Sequence, residues 1–103
     1  MTWAWLAQYE PRITTAEEAA KVIESGRRVF LTGNCSVPQK ILAALVARAP
    51  EVKDVEIIQV LTIGPAPHAA PELHGHLNIN TVFISDNVRQ AFNEGRGDCT
   101  PCF

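Results

Sequence analysis

A loop at residues 33–39 has the composition best suited to binding an anion. It joins a predicted strand to a predicted helix, where free backbone N–H groups and the helix dipole favour a phosphate, a carboxylate or a thioester oxyanion. The loop has neither the Gly-Lys-Ser/Thr ending of a Walker loop nor the glycines of a dinucleotide fingerprint. An ordinary strand–helix turn is the alternative interpretation. The candidate binding residues are Gly33, Asn34, Cys35, Ser36, Pro38 and Gln39.

Asn87 and Arg89 open a later predicted helix, which follows another strand. An asparagine can donate a hydrogen bond to an oxyanion, and an arginine can pair with a carboxylate. Ligands of open α/β sheets bind in the crevice at the carboxyl ends of the strands, so both side chains are candidate substrate contacts. The alternative is a helix cap followed by a surface arginine.

Two further patterns could carry metal or redox chemistry. Cys99 and Cys102 form a Cys-x-x-Cys motif, but no helix follows it and no second ligand pair has matching spacing. His74 and His76 could share a metal, with His68 as a further donor in the same loop. Incidental thiols and ordinary loop histidines explain these residues more simply, and we predict no metal site.

Alternating helix and strand patterns position these residues. Three apolar runs predict strands, over residues 27–32, 55–61 and 81–85. Helical patterns flank them, over residues 15–26, 38–49 and 86–95, the first opening with a Thr15–Glu18 capping box. The order predicts an α/β fold with a small, open, mainly parallel sheet of about three strands and flanking helices. Residues 62–80 form an unusually long, proline-rich connection, and residues 96–103 look irregular.

A short helix over residues 3–9, capped by Thr2, is expected at the start of the chain. Its face carries Trp3, Trp5 and Tyr9, which could cover an open edge of the sheet or form a partner surface.

Composition limits the possible partners and locations. The chain has 103 residues, 47% of them apolar, and a net charge of −2, which predicts one domain and argues against nucleic acid or an anionic membrane as partner. No apolar run is long enough for a transmembrane helix, and the first residues lack a signal-peptide pattern. Three cysteines suggest reduced thiols in a cytoplasmic protein.

Several stretches together resemble the amino-terminal segment of the acetyl-CoA hydrolase/CoA-transferase family, which includes 4-hydroxybutyrate and succinyl-CoA:acetate CoA-transferases. The matching stretches are, in chain order, Gly26-Arg27-x-Val29-Phe30, Leu31-Thr32-Gly33-Asn34-Cys35-Ser36-Val37-Pro38-Gln39, Leu61-Thr62-Ile63-Gly64, Asn87-Val88-Arg89-Gln90-Ala91, Asn93-Glu94-Gly95-Arg96 and Asp98-x-Thr100-Pro101-x-Phe103. Cys35, Cys99 and Cys102 depart from the residue types that are usual in the family.

The resemblance implies part of a CoA-transferase-type domain. It implies that a coenzyme A thioester is the substrate, that no cofactor is required, and that residues 33–39 line the acyl-substrate side of the site. In the family, a glutamate nucleophile in the carboxyl-terminal domain forms the enzyme-bound glutamyl thioester. No glutamate of this chain lies in a motif that matches the one holding the family's nucleophile, so we expect residues 1–103 to hold no catalytic residue and to be inactive alone.

Three functions remain open at this point. The first is a truncated or stand-alone CoA-transferase fragment whose partner is a missing carboxyl-terminal domain. The second is a self-associating binding module, a homodimer, because three helices cannot easily cover every apolar strand residue. The strand residues that are not all easily buried are Val29, Leu31, Ile58, Val60, Val82 and Ile84. The third and weakest is a Cys-x-x-Cys metal or redox protein.

Overall fold

A four-stranded parallel sheet forms the centre of the molecule in the computed structural model, which describes residues 3–102. The strands lie in chain order: β1 (Arg28–Leu31), β2 (Val55–Gln59), β3 (Leu77–Thr81) and β4 (Gly97–Cys99). Every neighbouring pair is parallel, so all four strands end at the same edge of the sheet. The predicted α/β class is confirmed, with four strands where about three were expected.

The described residues form three α-helices: α1 (Ala16–Ala20) precedes β1, α2 (Gln39–Arg48) lies between β1 and β2, and α3 (Asp86–Asn93) lies between β3 and β4. The predicted cap of α1 is confirmed, because the Thr15 hydroxyl accepts a hydrogen bond from the backbone N–H of Glu18 at 3.2 Å. Gly26 precedes β1 with a φ of 76°, in the left-handed region that glycine adopts most easily. Among the described residues, no helix is both long and apolar enough to cross a membrane.

One face of the sheet carries the hydrophobic core. Side chains alternate along β2 and β3, so that Val55, Ile57, Leu77 and Ile79 all point to the covered side and are almost fully buried. Leu42 and Leu45 of α2 join the same cluster. α2 thus covers this face of the sheet.

The opposite face is largely open. Phe30, Ile58, Asn80 and Asp98 are register partners, one on each strand, and form a row across this face. The side chain of Phe30 is 62% exposed. The six strand residues that were not expected all to be buried divide between the two faces. Leu31 is buried in the core and Val29 packs against it, because both lie on the covered side, whereas Val60 is 38% exposed.

The third predicted strand is wrong in position. The structure places β3 at Leu77–Thr81, whereas residues 81–85 were expected. The segment alternates apolar and polar side chains, which suits a strand covered on one face, and a search for continuous apolar runs misses it. β4 was also missed, because Gly97–Cys99 falls in the segment expected to be irregular and contains no large apolar side chain.

The amino-terminal segment forms two 3₁₀ turns, Leu6–Gln8 and Glu10–Arg12, where one short helix was expected. Trp3 and Trp5 are 60% and 58% exposed, so they are not buried against the sheet edge. The expected Thr2 cap lies outside the described residues. The connection between β2 and β3 contains two further 3₁₀ turns, Pro67–Ala69 and Pro71–Leu73.

Candidate functional site

The segments that leave β1 and β2 touch each other at the carboxyl edge of the sheet. The backbone N–H of Asn34 donates to the carbonyl of Leu61 at 2.9 Å, and Asn34 forms an isolated parallel bridge with Thr62. A Cβ added to Gly33 would lie 2.6 Å from the same Leu61 carbonyl oxygen. A residue without a side chain is therefore needed at position 33 for this close approach.

Hydrogen bonds within the loop fix the backbone of residues 33–39. The hydroxyl of Ser36 donates to the Gly33 carbonyl at 2.8 Å, and the hydroxyl of Thr32 donates to the Ser36 carbonyl at 2.7 Å. Asn34 has a φ of 53°, which belongs to the left-handed region. Asn34, Cys35 and Ser36 are exposed, so the loop presents an ordered polar surface to solvent.

The amino end of α2 lies directly after this loop. Pro38 occupies the N-cap position and has no side-chain oxygen that could accept from the first N–H groups of the helix. The first N–H groups of an α-helix have no partner within the helix, so they remain available to an acceptor here. The Gln39 side chain reaches toward the next segment, since its Nε2 would lie 3.7 Å from a Cβ at Gly64.

Asn87, at the start of α3, links the chain that follows β3 to the chain that follows β2. Its amide nitrogen donates to the carbonyls of Thr62, at 3.0 Å, and Gly64, at 2.7 Å, while its amide oxygen accepts from the Ser85 hydroxyl. Both amide hydrogens thus hold the backbone after β2. This arrangement makes Asn87 a positioning residue for residues 62–64.

Arg89 is engaged on the surface of α3. Its guanidinium lies 3.0 Å from the carboxylate of Asp86, one helical turn earlier, and both side chains are more than half exposed. This is the usual geometry of an i,i+3 pair on a helix. The structure therefore joins residues 33–34, Gln39, residues 62–64 and Asn87 through contacts, and it pairs Arg89 with Asp86.

A buried polar pair lies beneath this edge; the sequence singled out only one member, His68, and only as a candidate metal donor. Gln59, the last residue of β2, and His68, in the Pro67–Ala69 turn, are 0% and 1% exposed. His68 Nε2 lies 2.7 Å from Gln59 Oε1. Burial lowers the pKa of His68 to about 4, so the imidazole is neutral near pH 7. The sequence feature that could have revealed this pair is Gln59, a glutamine at an inward-facing position of a strand.

Arg96 provides a second tether between the end of α3 and the long connection. Its guanidinium donates to the carbonyl of Ala69 at 2.9 Å and pairs with the carboxylate of Glu94 at 2.6 Å. The Arg96 side chain is only 14% exposed. Asn87, Arg96 and His68 therefore hold the connection between β2 and β3 at three points.

The cysteine and histidine motifs do not come together as a metal centre. Within residues 3–102, no group of three or more His, Cys, Asp or Glu side chains is placed to hold a metal ion. Nδ1 of His76 donates to the Val52 carbonyl at 2.6 Å, and Nε2 of His68 is hydrogen-bonded to Oε1 of Gln59. Cys35 and Cys102 are exposed free thiols.

A groove of about 420 Å³ lies between α1 and α2, and it extends to Lys40 in the first turn of α2. Its lining residues are Ala16, Glu17, Lys40, Ala43, Ala44 and Ala47.

The sequence profile of the acetyl-CoA hydrolase/transferase N-terminal domain matches residues 4–103. The chain belongs to this family. The resemblance noted in the sequence is thereby confirmed over almost the whole chain, and the carboxyl edge of the sheet lies within an acetyl-CoA hydrolase/transferase N-terminal domain.

Two characterised relatives agree with this assignment. The chain is 30% identical over 99 residues to a 4-hydroxybutyrate coenzyme A transferase of Clostridium kluyveri, covering 96% of this chain and 23% of that protein. It is 29% identical over 92 residues to a succinyl-CoA:acetate/propanoyl-CoA:succinate CoA transferase of Fasciola hepatica, covering 87% of this chain and 19% of that protein. The chain thus spans less than a quarter of the length of these relatives.

A solved structure shares the fold. The crystal structure of RipA from Yersinia pestis superposes with a TM-score of 0.81 at 21% identity, over 98% of this chain and 26% of that one. The arrangement of strands and helices described here is therefore that of one segment in a larger protein of similar fold.

Proposed function

We propose that this acetyl-CoA hydrolase/transferase domain supplies part of the acyl-substrate side of a CoA-thioester site and that it lacks the catalytic carboxylate. The observation that carries the proposal is the junction at the carboxyl edge of the sheet. There Asn34 bonds to Leu61, and Asn87 bonds to Thr62 and Gly64. Parallel α/β sheets bind their ligands at this edge.

The chemistry offered by the edge suits an acyl thioester or a small carboxylic acid. Attack on a thioester carbonyl places negative charge on its oxygen, and the uncapped N–H groups at the start of α2 can donate to that oxygen. Asn34, Ser36 and Gln39 surround this helix end as polar neighbours, and Cys35 is exposed beside them. The substrate proposed for the family site is a coenzyme A thioester, and no further cofactor is required.

The nucleophile is proposed to come from another polypeptide region. The eight glutamates of the chain lie outside residues 33–39 and 62–64, at Glu10, Glu17, Glu18, Glu24, Glu51, Glu56, Glu72 and Glu94. We therefore expect the isolated chain to give no acyl transfer when acetyl-CoA is supplied with acetate or succinate. Turnover by the purified chain alone would overturn the proposal.

Binding can be tested separately from turnover. Calorimetric titration with CoA, acetyl-CoA and succinate should give weak binding, which Asn34→Gly should reduce by about 3- to 10-fold because it removes one polar neighbour of the helix end. Asp54→Gly is the matched control, because Asp54 has the same left-handed backbone, with a φ of 56°, away from this edge. Flat titrations of the wild-type chain with all three ligands would overturn the binding role.

Self-association is the second candidate function, with this chain acting as a homodimeric binding module. It is favoured by the exposure of large apolar side chains, since Phe30 is 62% and Phe83 is 59% exposed. Light scattering over a range of concentrations tests it, and a monomer throughout would remove it. The three free cysteines support a reducing compartment such as the cytoplasm.

A further inference from the structure

Three buried polar side-chain atoms lack a hydrogen-bond partner among residues 3–102. They are Nε2 of Gln59, Oγ1 of Thr62 and Nδ1 of His68. The three residues are 0%, 1% and 1% exposed. Nearly all buried polar groups in folded proteins are hydrogen-bonded to protein or to ordered water, because a buried group without a partner is costly. Three such atoms in one part of the chain therefore indicate a ligand.

The three residues belong to one short closed segment, residues 59–68. Gln59 is the last residue of β2, and the chain returns over it at His68, whose Nε2 lies 2.7 Å from Gln59 Oε1. Thr62 lies between them with its side chain buried. Compact loops whose ends are in contact pack around their own side chains. The buried hydroxyl of Thr62 is therefore confined near the Gln59–His68 pair.

The backbone of this segment is already engaged. Five of its carbonyls accept hydrogen bonds from neighbouring elements, those of Gln59, Val60, Leu61, Thr62 and Gly64. The Pro67–Ala69 turn in addition packs against α2, α3 and β3. The segment is thus held in place from several sides, and its three unpartnered side-chain atoms are held with it.

Hydrogen-bond chemistry defines what these atoms can bind. The neutral imidazole of His68 has one N–H donor and one acceptor nitrogen, and the amide of Gln59 has groups of both kinds. Their mutual contact uses one donor and one acceptor, whichever way the amide is turned, so one donor and one acceptor remain. The Thr62 hydroxyl can serve as either. The ligand must therefore both donate and accept.

A water molecule meets these requirements. None of the three side chains is charged near pH 7, and an ion without a counter-charge is far more costly to bury than a neutral molecule. Buried waters typically make about three hydrogen bonds, which equals the number of unpartnered atoms. Proteins contain about one buried water per 27 residues, so a chain of this length is expected to hold a few.

We propose that Gln59, Thr62 and His68 form a binding site for one ordered water molecule beneath the carboxyl edge of the sheet. The water accepts from one member of the Gln59–His68 pair, donates to the other and shares a hydrogen bond with the Thr62 hydroxyl. Thr62 is then fixed at two points, at its side chain by the water and at its carbonyl by Asn87. The site does not depend on the acyl-substrate role of the edge, because its ligand is solvent.

A high-resolution crystal structure of the wild-type chain tests the site directly. We expect one water oxygen within hydrogen-bond distance of Gln59 Nε2, Thr62 Oγ1 and His68 Nδ1. A structure without a water at these atoms would overturn the proposal. This measurement needs no variant, so it decides the question even where a substitution prevents folding.

Thr62→Val tests the site through the sign of its effect on stability. With the water bound, valine removes one of its hydrogen bonds, and the equilibrium constant for unfolding should rise about 5- to 10-fold. A hydroxyl without any partner would instead be costly to bury, so valine would lower that constant.

Thr81→Val is the matched control for this substitution. Thr81 is 2% exposed, and its hydroxyl donates directly to the carbonyl of Phe83 at 2.5 Å. The unfolding constant of this variant should rise by a similar factor, because it too loses one hydrogen bond of a buried threonine. A Thr62→Val variant more stable than the wild type, beside a destabilised Thr81→Val, would contradict the water site.

Discussion

At the scale of single residues, Gly33 makes the closest backbone approach of the candidate site. A Cβ at this position would lie 2.6 Å from the carbonyl oxygen of Leu61, so Gly33→Ala must push the ends of β1 and β2 apart. We expect a loss of about 1–3 kcal/mol in the free energy of unfolding, the usual cost of overpacking. Urea denaturation measures it.

Gly97→Ala provides the comparison for this prediction. Gly97 also lacks a left-handed backbone, but its added Cβ would lie 3.7 Å from the nearest atom, an ordinary contact distance. This variant should therefore change the free energy of unfolding by less than about 1 kcal/mol. Equal losses in the two variants would show that the contact with Leu61 has no special role.

His68 gives a prediction about pH. Burial holds its pKa at about 4 in the folded protein, whereas an unfolded histidine has a value near 6.5. Between these values the unfolded chain binds a proton that the folded chain does not, so stability is complete above about pH 6.5 and falls as the pH drops toward 4. The loss attributable to this residue approaches about 3 kcal/mol at the lower limit.

The histidine contribution can be isolated with variants. His68→Gln should be less stable than the wild type at pH 7.5, because the imidazole packing is lost, but its stability should fall less between pH 7.5 and pH 5. His74→Gln, which replaces an exposed histidine of the same connection, should keep the wild-type pH dependence. An unchanged pH slope in His68→Gln would contradict the assignment.

At the scale of elements, α3 holds the long connection between β2 and β3 in place. Asn87 at its start bonds to the carbonyls of Thr62 and Gly64, and Arg96 after its end bonds to the carbonyl of Ala69. Asn87→Ala removes both of these hydrogen bonds and the one that the amide oxygen accepts from Ser85, and it should cost about 1–3 kcal/mol. Hydrogen exchange should then speed up in residues 62–64.

Arg89→Ala tests whether this effect belongs to the tether or to α3 in general. The pair between Arg89 and Asp86 is solvent-exposed, so its loss should cost less than about 0.5 kcal/mol and leave hydrogen exchange of residues 62–64 unchanged. Faster exchange in both variants would mean that any change in α3 loosens the connection.

The sequence patterns were reliable where one residue type decides the local structure. The Thr15 cap and the start of α2 near Pro38 both follow from local chemistry, and the structure has each of them. The helix expected to run to a cap at Gly26 ends at Ala20, so that expectation is wrong, although Gly26 has the left-handed backbone that was expected of it. β3 and β4 could not be found in the same way. Asn78 and Asn80 are polar because their face of the sheet is open, and this property depends on the tertiary arrangement.

The candidate site was predictable in position and less so in detail. Residues 33–39 were expected at the carboxyl edge because a strand and a helix flank them, and the edge is where the structure places them. The tethering role of Asn87 required knowing where the carbonyls of Thr62 and Gly64 point. The pairing of His68 with Gln59 similarly joins residues from separate elements, which sequence spacing alone does not bring together.

At the scale of the whole molecule, the sheet is asymmetric. Ile57 on the covered face is 1% exposed, whereas its neighbour in the chain, Ile58, is only partly buried on the open face. The free energy of unfolding should therefore depend on side chains of the covered face far more than on those of the open face.

A pair of truncations tests this asymmetry directly. Ile57→Ala removes a fully buried side chain and should cost about 2–5 kcal/mol. Phe30→Ala removes a larger side chain that is 62% exposed, so it should cost less than about 1 kcal/mol in the isolated chain. The difference is measured by urea denaturation at several protein concentrations. A large, concentration-dependent cost for Phe30→Ala would mean that a second copy already covers the open face, and a large cost independent of concentration would mean that the chain covers Phe30 itself.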